Sequence, residues 1–382
     1  MNVARARACV DRDAIAHNCA RLLDVLDGAA LCAVVKADGY GHGAVECATT
    51  AVDAGASWLA VATIEEASEL RDAGVEAPVL IMGALSERSE IERAIELQAD
   101  IVVWRERSIV LASEAAALLS GVARVHVKLD TGMGRLGTRD VAEASRVVAA
   151  AEAAPGVRLA GVMTHFATAD IPEDEGFFEH QLAAFTIWSG AVRAEHPDIL
   201  VHAANSAAVL REPRRARFGM ARCGIAVYGL DPFNQDSLAH DLNPALTLSS
   251  YVAEVKPCRA GESTGYGRRY VADHDTHLGV LPIGYGDGFR RALSGAADVL
   301  IAGSRLPLVG TVSMDNVAVD LGPDPAALEL CGAEAVLIGS SGPERITAEE
   351  LAGRMNTINY EITCGLSARV RRTYCSSSSP AP

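Results

Sequence analysis

Over roughly its first 230 residues the chain alternates short runs rich in Val and Ile with longer Ala/Glu/Arg segments of helical periodicity, and this constrains its fold more than any other feature. The runs fall near Cys32–Lys36, Trp58–Thr63, Pro78–Met82, Ile101–Trp104, Arg124–Leu129, Leu159–Thr164, Leu200–Ala203 and Ile225–Tyr228. Each is a short apolar stretch, as expected of a strand covered on both faces. Between them, stretches such as Ser89–Leu97 and Ala142–Ala154 place apolar side chains at i, i+3 and i+4 with charge on the other face. Eight strand–helix units predict an α/β fold, a TIM (β/α)8 barrel whose functional residues lie at the C-terminal ends of its strands.

The pattern changes after Leu230. Asp231-Pro232 and Asn243-Pro244 punctuate a linker, and strands then follow closely: Ala245–Val255, His277–Ile283, Val299–Ala302, Leu306–Val309 and Val317–Leu321, separated by turn residues and little helix. The chain of 382 residues therefore divides into a barrel over 1–235 and a mostly β domain over 236–382, ending in a Ser/Pro-rich tail over 376–382 that is expected to be disordered. Ala4–Val10 reads as a further strand of undetermined domain.

Lys plus Arg number 34 against 49 Asp plus Glu, a formal charge of −15, which disfavours a phosphate-backbone partner such as nucleic acid. No apolar stretch approaches the roughly 18 residues of a membrane span, so no membrane partner is expected. Arg5, Arg7, Asp11, Arg12 and Asp13 stand where a signal peptide needs an apolar run, so the expected location is the cytoplasm. Nine cysteines without a C-x-x-C pair, and His42, His126 and His202 without ligand spacing, predict neither a disulfide framework nor a metal site, and these histidines read as structural.

The segment Lys36-Ala37-Asp38-Gly39-Tyr40-Gly41-His42-Gly43 sets a lysine at the mouth of the barrel, ahead of a loop with three glycines. A lysine desolvated there has a lowered pKa and can form a Schiff base with a carbonyl group. Phosphate in such barrels sits at the loops after the seventh and eighth strands, where the Ser206 hydroxyl and the backbone N–H groups of Gly224 and Ile225 can converge on it. Ser206 also reads as a helix N-cap for Ala207–Leu210, and the two roles are compatible.

The lysine segment closely resembles the cofactor-attachment signature of the alanine racemases, enzymes that use pyridoxal 5'-phosphate (PLP). The resemblance runs over nearly the whole chain, through Lys128-Leu129-Asp130-Thr131-Gly132-Met133-Gly134-Arg135, Thr164-His165-Phe166, Ala204-Asn205-Ser206, Arg222-Cys223-Gly224-Ile225, Gly265-Tyr266-Gly267, Gly284-Tyr285-Gly286-Asp287-Gly288, Val312-Ser313-Met314-Asp315 and Asn359-Tyr360-Glu361. It departs near the C-terminus, where no proline follows Val370.

The resemblance implies a homodimer with shared active sites. Lys36 would hold PLP and move a proton on one face of the substrate Cα, while Tyr266 from the partner's β domain acts on the opposite face. An ordinary tyrosine has a pKa near 10, so its phenolate needs support, which the resemblance assigns to a network of His165, Arg222 and Arg135. Arg222 would face the pyridine nitrogen; because arginine keeps its proton, that nitrogen stays neutral and side reactions are restrained. Tyr40 and Tyr360 would add hydroxyls at the phosphate. Arg135 and the Met314 backbone N–H would hold the substrate carboxylate, with Lys128, carbamylated in many members, positioning Arg135. Tyr285 and Asp287 would line an access channel narrowed by Tyr266 and Tyr360, favouring alanine. A racemase of serine or of several amino acids, a barrel-plus-β decarboxylase and a non-catalytic PLP-binding barrel are the competing readings; Tyr266, Met314 and Tyr360 argue against the last.

Overall fold

The computed structural model describes residues 4–376, so the expected tail lies, from residue 377 onward, outside the described residues. Two compact units emerge. One takes in Ile15–Val227 and His240–Leu242; the other takes in the N-terminal strand, Tyr228–Ala239 and the chain from Asn243 onward. This division differs from a cut at residue 235, because the strand Arg7–Asp11 belongs with the β unit.

In the first unit, eight parallel strands close into a barrel: Ala30–Val34, Trp58–Val61, Val79–Ile81, Ala99–Val103, Ala123–Lys128, Val157–Met163, Leu200–His202 and Met220–Cys223. Seven lie within a few residues of the expected runs. The eighth does not: Ile225–Tyr228, expected as a strand, is a buried 3-10 helix, and the strand is Met220–Cys223 just before it. Arg222 therefore lies within the last strand rather than ahead of it, paired with Cys32 of the first.

Helices cover the barrel as their sequences dictate. Thr63 and Glu66 form a reciprocal capping box that starts Ile64–Asp72, and Asp140 caps Val141–Ala153, whose Ala144, Val147, Val148 and Ala151 share one buried face. Burying each such valine contributes about 1.5–3 kcal/mol.

The second unit is built on a ten-stranded sheet. Its strands lie in the order Glu254–Cys258, Thr276–Leu281, Val317–Gly322, Ser304–Val309, Asp298–Ile301, Glu334–Ser341, Leu246–Tyr251, Arg7–Asp11 and Arg371–Cys375, with Glu344–Ile346 paired to Glu334–Ser341. Arg7–Asp11 runs antiparallel to Leu246–Tyr251 and parallel to Arg371–Cys375, so a strand from near the start of the chain lies beside one from near its end. Pro257 sits in the edge strand Glu254–Cys258, where its missing N–H costs no ladder bond.

Candidate active site

Lys36 follows the first barrel strand, half-buried, and opens a turn with unusual handedness. Ala37, Asp38, Gly39, Tyr40 and Gly41 all have φ between 53° and 84°, the left-handed region, which costs a non-glycine residue about 1–2 kcal/mol. Several bonds hold the turn there. The Ala37 N–H donates to Glu66 Oε1 at 2.7 Å, and Glu66 also accepts from the Ala62 N–H; Asp38 Oδ1 accepts from the Ala44 N–H at 3.1 Å. The buried His42 donates from Nδ1 to the carbonyls of Gly39 and Tyr40. Glu66 was not among the expected site residues, although its place in the capping box of Thr63 is visible in the sequence.

Arg222 is the hub of the barrel mouth. Its side chain is buried, with 2% of the residue exposed, and faces no carboxylate among the described residues. Nη1 donates to His202 Nδ1 at 2.8 Å, and Nη2 donates to the Thr164 carbonyl at 2.8 Å, the Ala203 carbonyl at 3.1 Å and His165 Nδ1 at 3.2 Å. Its Nε is buried and has no hydrogen-bond partner among the described residues. Burial draws its pKa down to about 10, so it remains a cation at neutral pH. Because Arg222 can only donate, His165 Nδ1 must accept, which leaves the His165 proton on Nε2. Gln181, fully buried and absent from the expected set, braces this loop by donating to Thr131 Oγ1 and the His165 carbonyl.

A second cluster forms where the seventh and eighth strands end. The Ser206 hydroxyl accepts from the N–H groups of Gly224 (3.1 Å) and Ala226 (3.4 Å). It does not cap the helix Ser206–Arg211; the side chain of Asn205 does so, accepting from the Ala208 N–H. A Cβ on Gly224 would stand 2.2 Å from the Tyr40 hydroxyl, so only glycine lets that phenol reach the cluster. Ile225 begins the 3-10 helix that was expected as a strand, and the first N–H groups of a helix point outward without intrahelical partners.

Lys128, at the end of the fifth strand, is 4% exposed, and its pKa is pushed down to about 8, first by burial and then by the cations Arg222, Arg135 and Lys36. The same cations, after burial, hold His165 well below the usual histidine value, so its ring is neutral. Arg135 itself is exposed, on a loop fixed by Asp130, which accepts from the N–H groups of Gly132 and Gly134. Lys36, Lys128, Arg135, His165 and Arg222 thus form one cationic cluster around a neutral imidazole, suited to an anionic guest.

The remaining expected residues lie in the β unit. Tyr266 starts a 3-10 turn between the short strands Ser263–Thr264 and Tyr270–Val271 and is 74% exposed; the Thr311 hydroxyl donates to its carbonyl. Tyr285 and Met314, both exposed, share a second loop pair, in which the N–H groups of Tyr285 and Gly286 donate to the carbonyls of Ser313 and Met314. Tyr360 follows Asn359, which is fully buried and donates to the Asp231 carbonyl and Glu349. Asp287 has a different setting from the expected channel wall: it is 2% exposed and paired with Arg5 at 2.7 Å and Arg369 at 3.3 Å, and it accepts from the Gly284 N–H. Its carboxylate is engaged in holding the Tyr285 loop.

Two family descriptions cover nearly all of this framework: "Alanine racemase, N-terminal domain" matches residues 10–232, and "Alanine racemase, C-terminal domain" matches residues 245–374. The chain belongs to the alanine racemase family. It is 42% identical to the alanine racemase of Geobacillus stearothermophilus over 96% of this chain and 92% of that one. The crystal structure of the alanine racemase of Streptomyces lavendulae superposes with a TM-score of 0.90 at 37% identity, covering 98% of each chain. A histidine racemase from Leuconostoc mesenteroides also shares the fold, with a TM-score of 0.86 at 27% identity over 98% of this chain and 99% of that one. The fold alone therefore does not set the substrate; the pocket residues must.

Proposed function

We propose that this chain is a cytoplasmic, homodimeric, PLP-dependent enzyme that interconverts L- and D-alanine, supplying D-alanine for peptidoglycan. The observation that carries this reading is the Arg222 guanidinium. It is a buried cation whose Nε–H has no acceptor among the described residues, and a neutral pyridine nitrogen would be one. The cluster of Ser206, Gly224 and the Tyr40 hydroxyl fits the phosphate, and the half-buried Lys36 fits the aldehyde. When bound, PLP would draw electrons from the substrate Cα and make its proton removable.

The chain's own residues supply the rest. The Lys36 amine takes the Cα proton on one face. Tyr266 of a second copy gives one back on the other, an assignment supported by its 74% exposure in the β unit, where Tyr285 and Met314 are exposed as well. Neutral His165, with its proton on Nε2, supports the tyrosine oxygen in its charged form. Arg135 and the Met314 N–H receive the substrate carboxylate, Tyr285 lines the approach, and Tyr266 and Tyr360 narrow it. Lys128 would carry a carbamate: its amine, with a pKa near 8, is partly unprotonated at neutral pH, can attack CO₂ and lose a proton, and would then present an anion to Arg135. Intact mass in bicarbonate should rise by one CO₂ and not do so in Lys128→Arg; a wild-type mass without the shift refutes the carbamate.

Purified enzyme should carry L-alanine to an equal mixture of enantiomers and leave L-serine far behind. Borohydride should fix PLP to Lys36, seen by peptide mass. No inversion of alanine, or no label on Lys36, would overturn the reading. Equal rates on serine would favour the broad-specificity alternative, since one or two pocket residues change selectivity by about 1–3 kcal/mol.

A further inference from the structure

The barrel interior, usually filled with branched apolar side chains, here holds a polar column. Asp100 lies near the start of the fourth strand, His126 in the middle of the fifth, His202 at the end of the seventh and Arg222 in the eighth. Asp100 Oδ2 is 3.1 Å from His126 Nε2, His126 Nδ1 is 2.8 Å from His202 Nε2, and His202 Nδ1 is 2.8 Å from Arg222 Nη1. Both histidines are fully buried and Asp100 is 1% exposed.

We propose that Asp100 and His126, through His202, form a one-way hydrogen-bond relay that fixes Arg222, making them positioning residues for a site at the other end of the barrel. The polarity follows from donor counting. Arg222 can only donate, so His202 Nδ1 accepts and its Nε2 carries the proton. That proton faces His126 Nδ1, which must accept, so His126 also keeps its proton on Nε2 and donates to the carboxylate. All four ring nitrogens are then satisfied with both rings neutral, and burial beside Arg222 independently holds His202 in its neutral form. Arg124 pins Asp100 from the far side, at an open cavity of about 870 Å³ that Trp58, Asp100 and Arg124 help to line. The column has also been given room: a Cβ on Gly161 of the sixth strand would stand 2.3 Å from His126 Nδ1. The orientation of the Arg222 Nε–H, the group the proposed function relies on, is thereby set from the opposite mouth.

This inference rests on the reading of Arg222 in the proposed function, and its test separates the two. Long-range ¹H–¹⁵N spectra of histidine-labelled wild-type protein, assigned by the signals lost in His126→Gln and His202→Gln, should show two neutral rings protonated on Nε2. A charged ring, or one protonated on Nδ1, overturns the relay whatever the enzyme does, and this measurement needs no bound PLP. In Asp100→Asn the amide cannot accept from both Arg124 and His126; turning its NH₂ toward His126 reverses that ring and every donor up to Arg222. A wrong tautomer enforced in this way is costly where a carboxylate orients a histidine. The variant should show an altered His126 tautomer, PLP bound at least about tenfold more weakly, and kcat lowered about tenfold or more with KM for alanine changed less. Gly161→Ala, which alters no polar group, should displace His126 with the same signature. Wild-type tautomers with lost activity, or altered tautomers with unchanged kcat and PLP affinity, each refute the positioning role. If both variants fail to fold, the wild-type spectrum decides. Failure of wild-type protein to bind PLP or invert alanine would instead refute the proposed function.

Discussion

Arg222 concentrates the chemistry of the barrel in a single residue, because a buried cation without a carboxylate is stable only if each of its N–H groups finds an acceptor. One acceptor meets Nη1 and three crowd Nη2, while Nε meets none among the described residues. Arg222→Lys keeps the charge but loses the planar fork, so at least two charge-assisted bonds disappear. That is about 3 kcal/mol, a fall in kcat/KM of about 100-fold, measurable by steady-state kinetics with the fold checked by circular dichroism. Histidines 165 and 202 predict a pH effect with a definite sign. Both are held below their ordinary value of 6.5 in the folded protein, by burial first and Arg222 second. Below pH 6.5 the unfolded chain takes up protons that the folded chain refuses, so stability present above pH 6.5 is lost as pH falls toward their lowered values. Each contributes a slope of at most about 1.4 kcal/mol per pH unit. Urea titrations between pH 7 and 5 should show this loss, and His165→Asn should make it shallower; an unchanged slope would contradict the assignment.

Elements place these residues where strand ends meet loops. Gly224, between the last barrel strand and the 3-10 helix Ile225–Tyr228, admits the Tyr40 hydroxyl beside Ser206. Gly224→Ala should force that phenol away and weaken PLP binding about tenfold or more, read by titrating apo-protein with PLP; unchanged affinity would remove this cluster from phosphate binding. Much of the barrel was legible because strands covered on both faces must be apolar over their whole length. The eighth strand escaped for the converse reason: Met220-Ala221-Arg222-Cys223 carries a charge and no β-branched residue, whereas Ile225-Ala226-Val227-Tyr228 has a strand's composition but packs as a buried helical turn. The short helices Ala348–Arg354 and Asn359–Cys364 were not anticipated either, being too short for helical periodicity to declare. Motif-borne residues such as Lys36 and Tyr266 could be read from the chain. Gln181, Asp100 and the hold of Glu66 on the Ala37 N–H could not, since each acts on a neighbour that only folding supplies.

For the whole molecule, the central claim is that one active site takes Lys36 from one chain and Tyr266 from another. Two compact units within one chain suit that division, with the barrel holding the cationic cluster and the β unit presenting exposed Tyr266, Tyr285 and Met314. Lys36→Ala and Tyr266→Phe should each be inactive as homodimers, but a mixed dimer of the two has one site with both native residues and one site with neither. Co-expressing the variants with different affinity tags and isolating the doubly tagged species gives that dimer directly. Its alanine racemisation should return to about half the wild-type rate per dimer; a mixed dimer as inactive as its parents would show that the two residues do not meet across the interface.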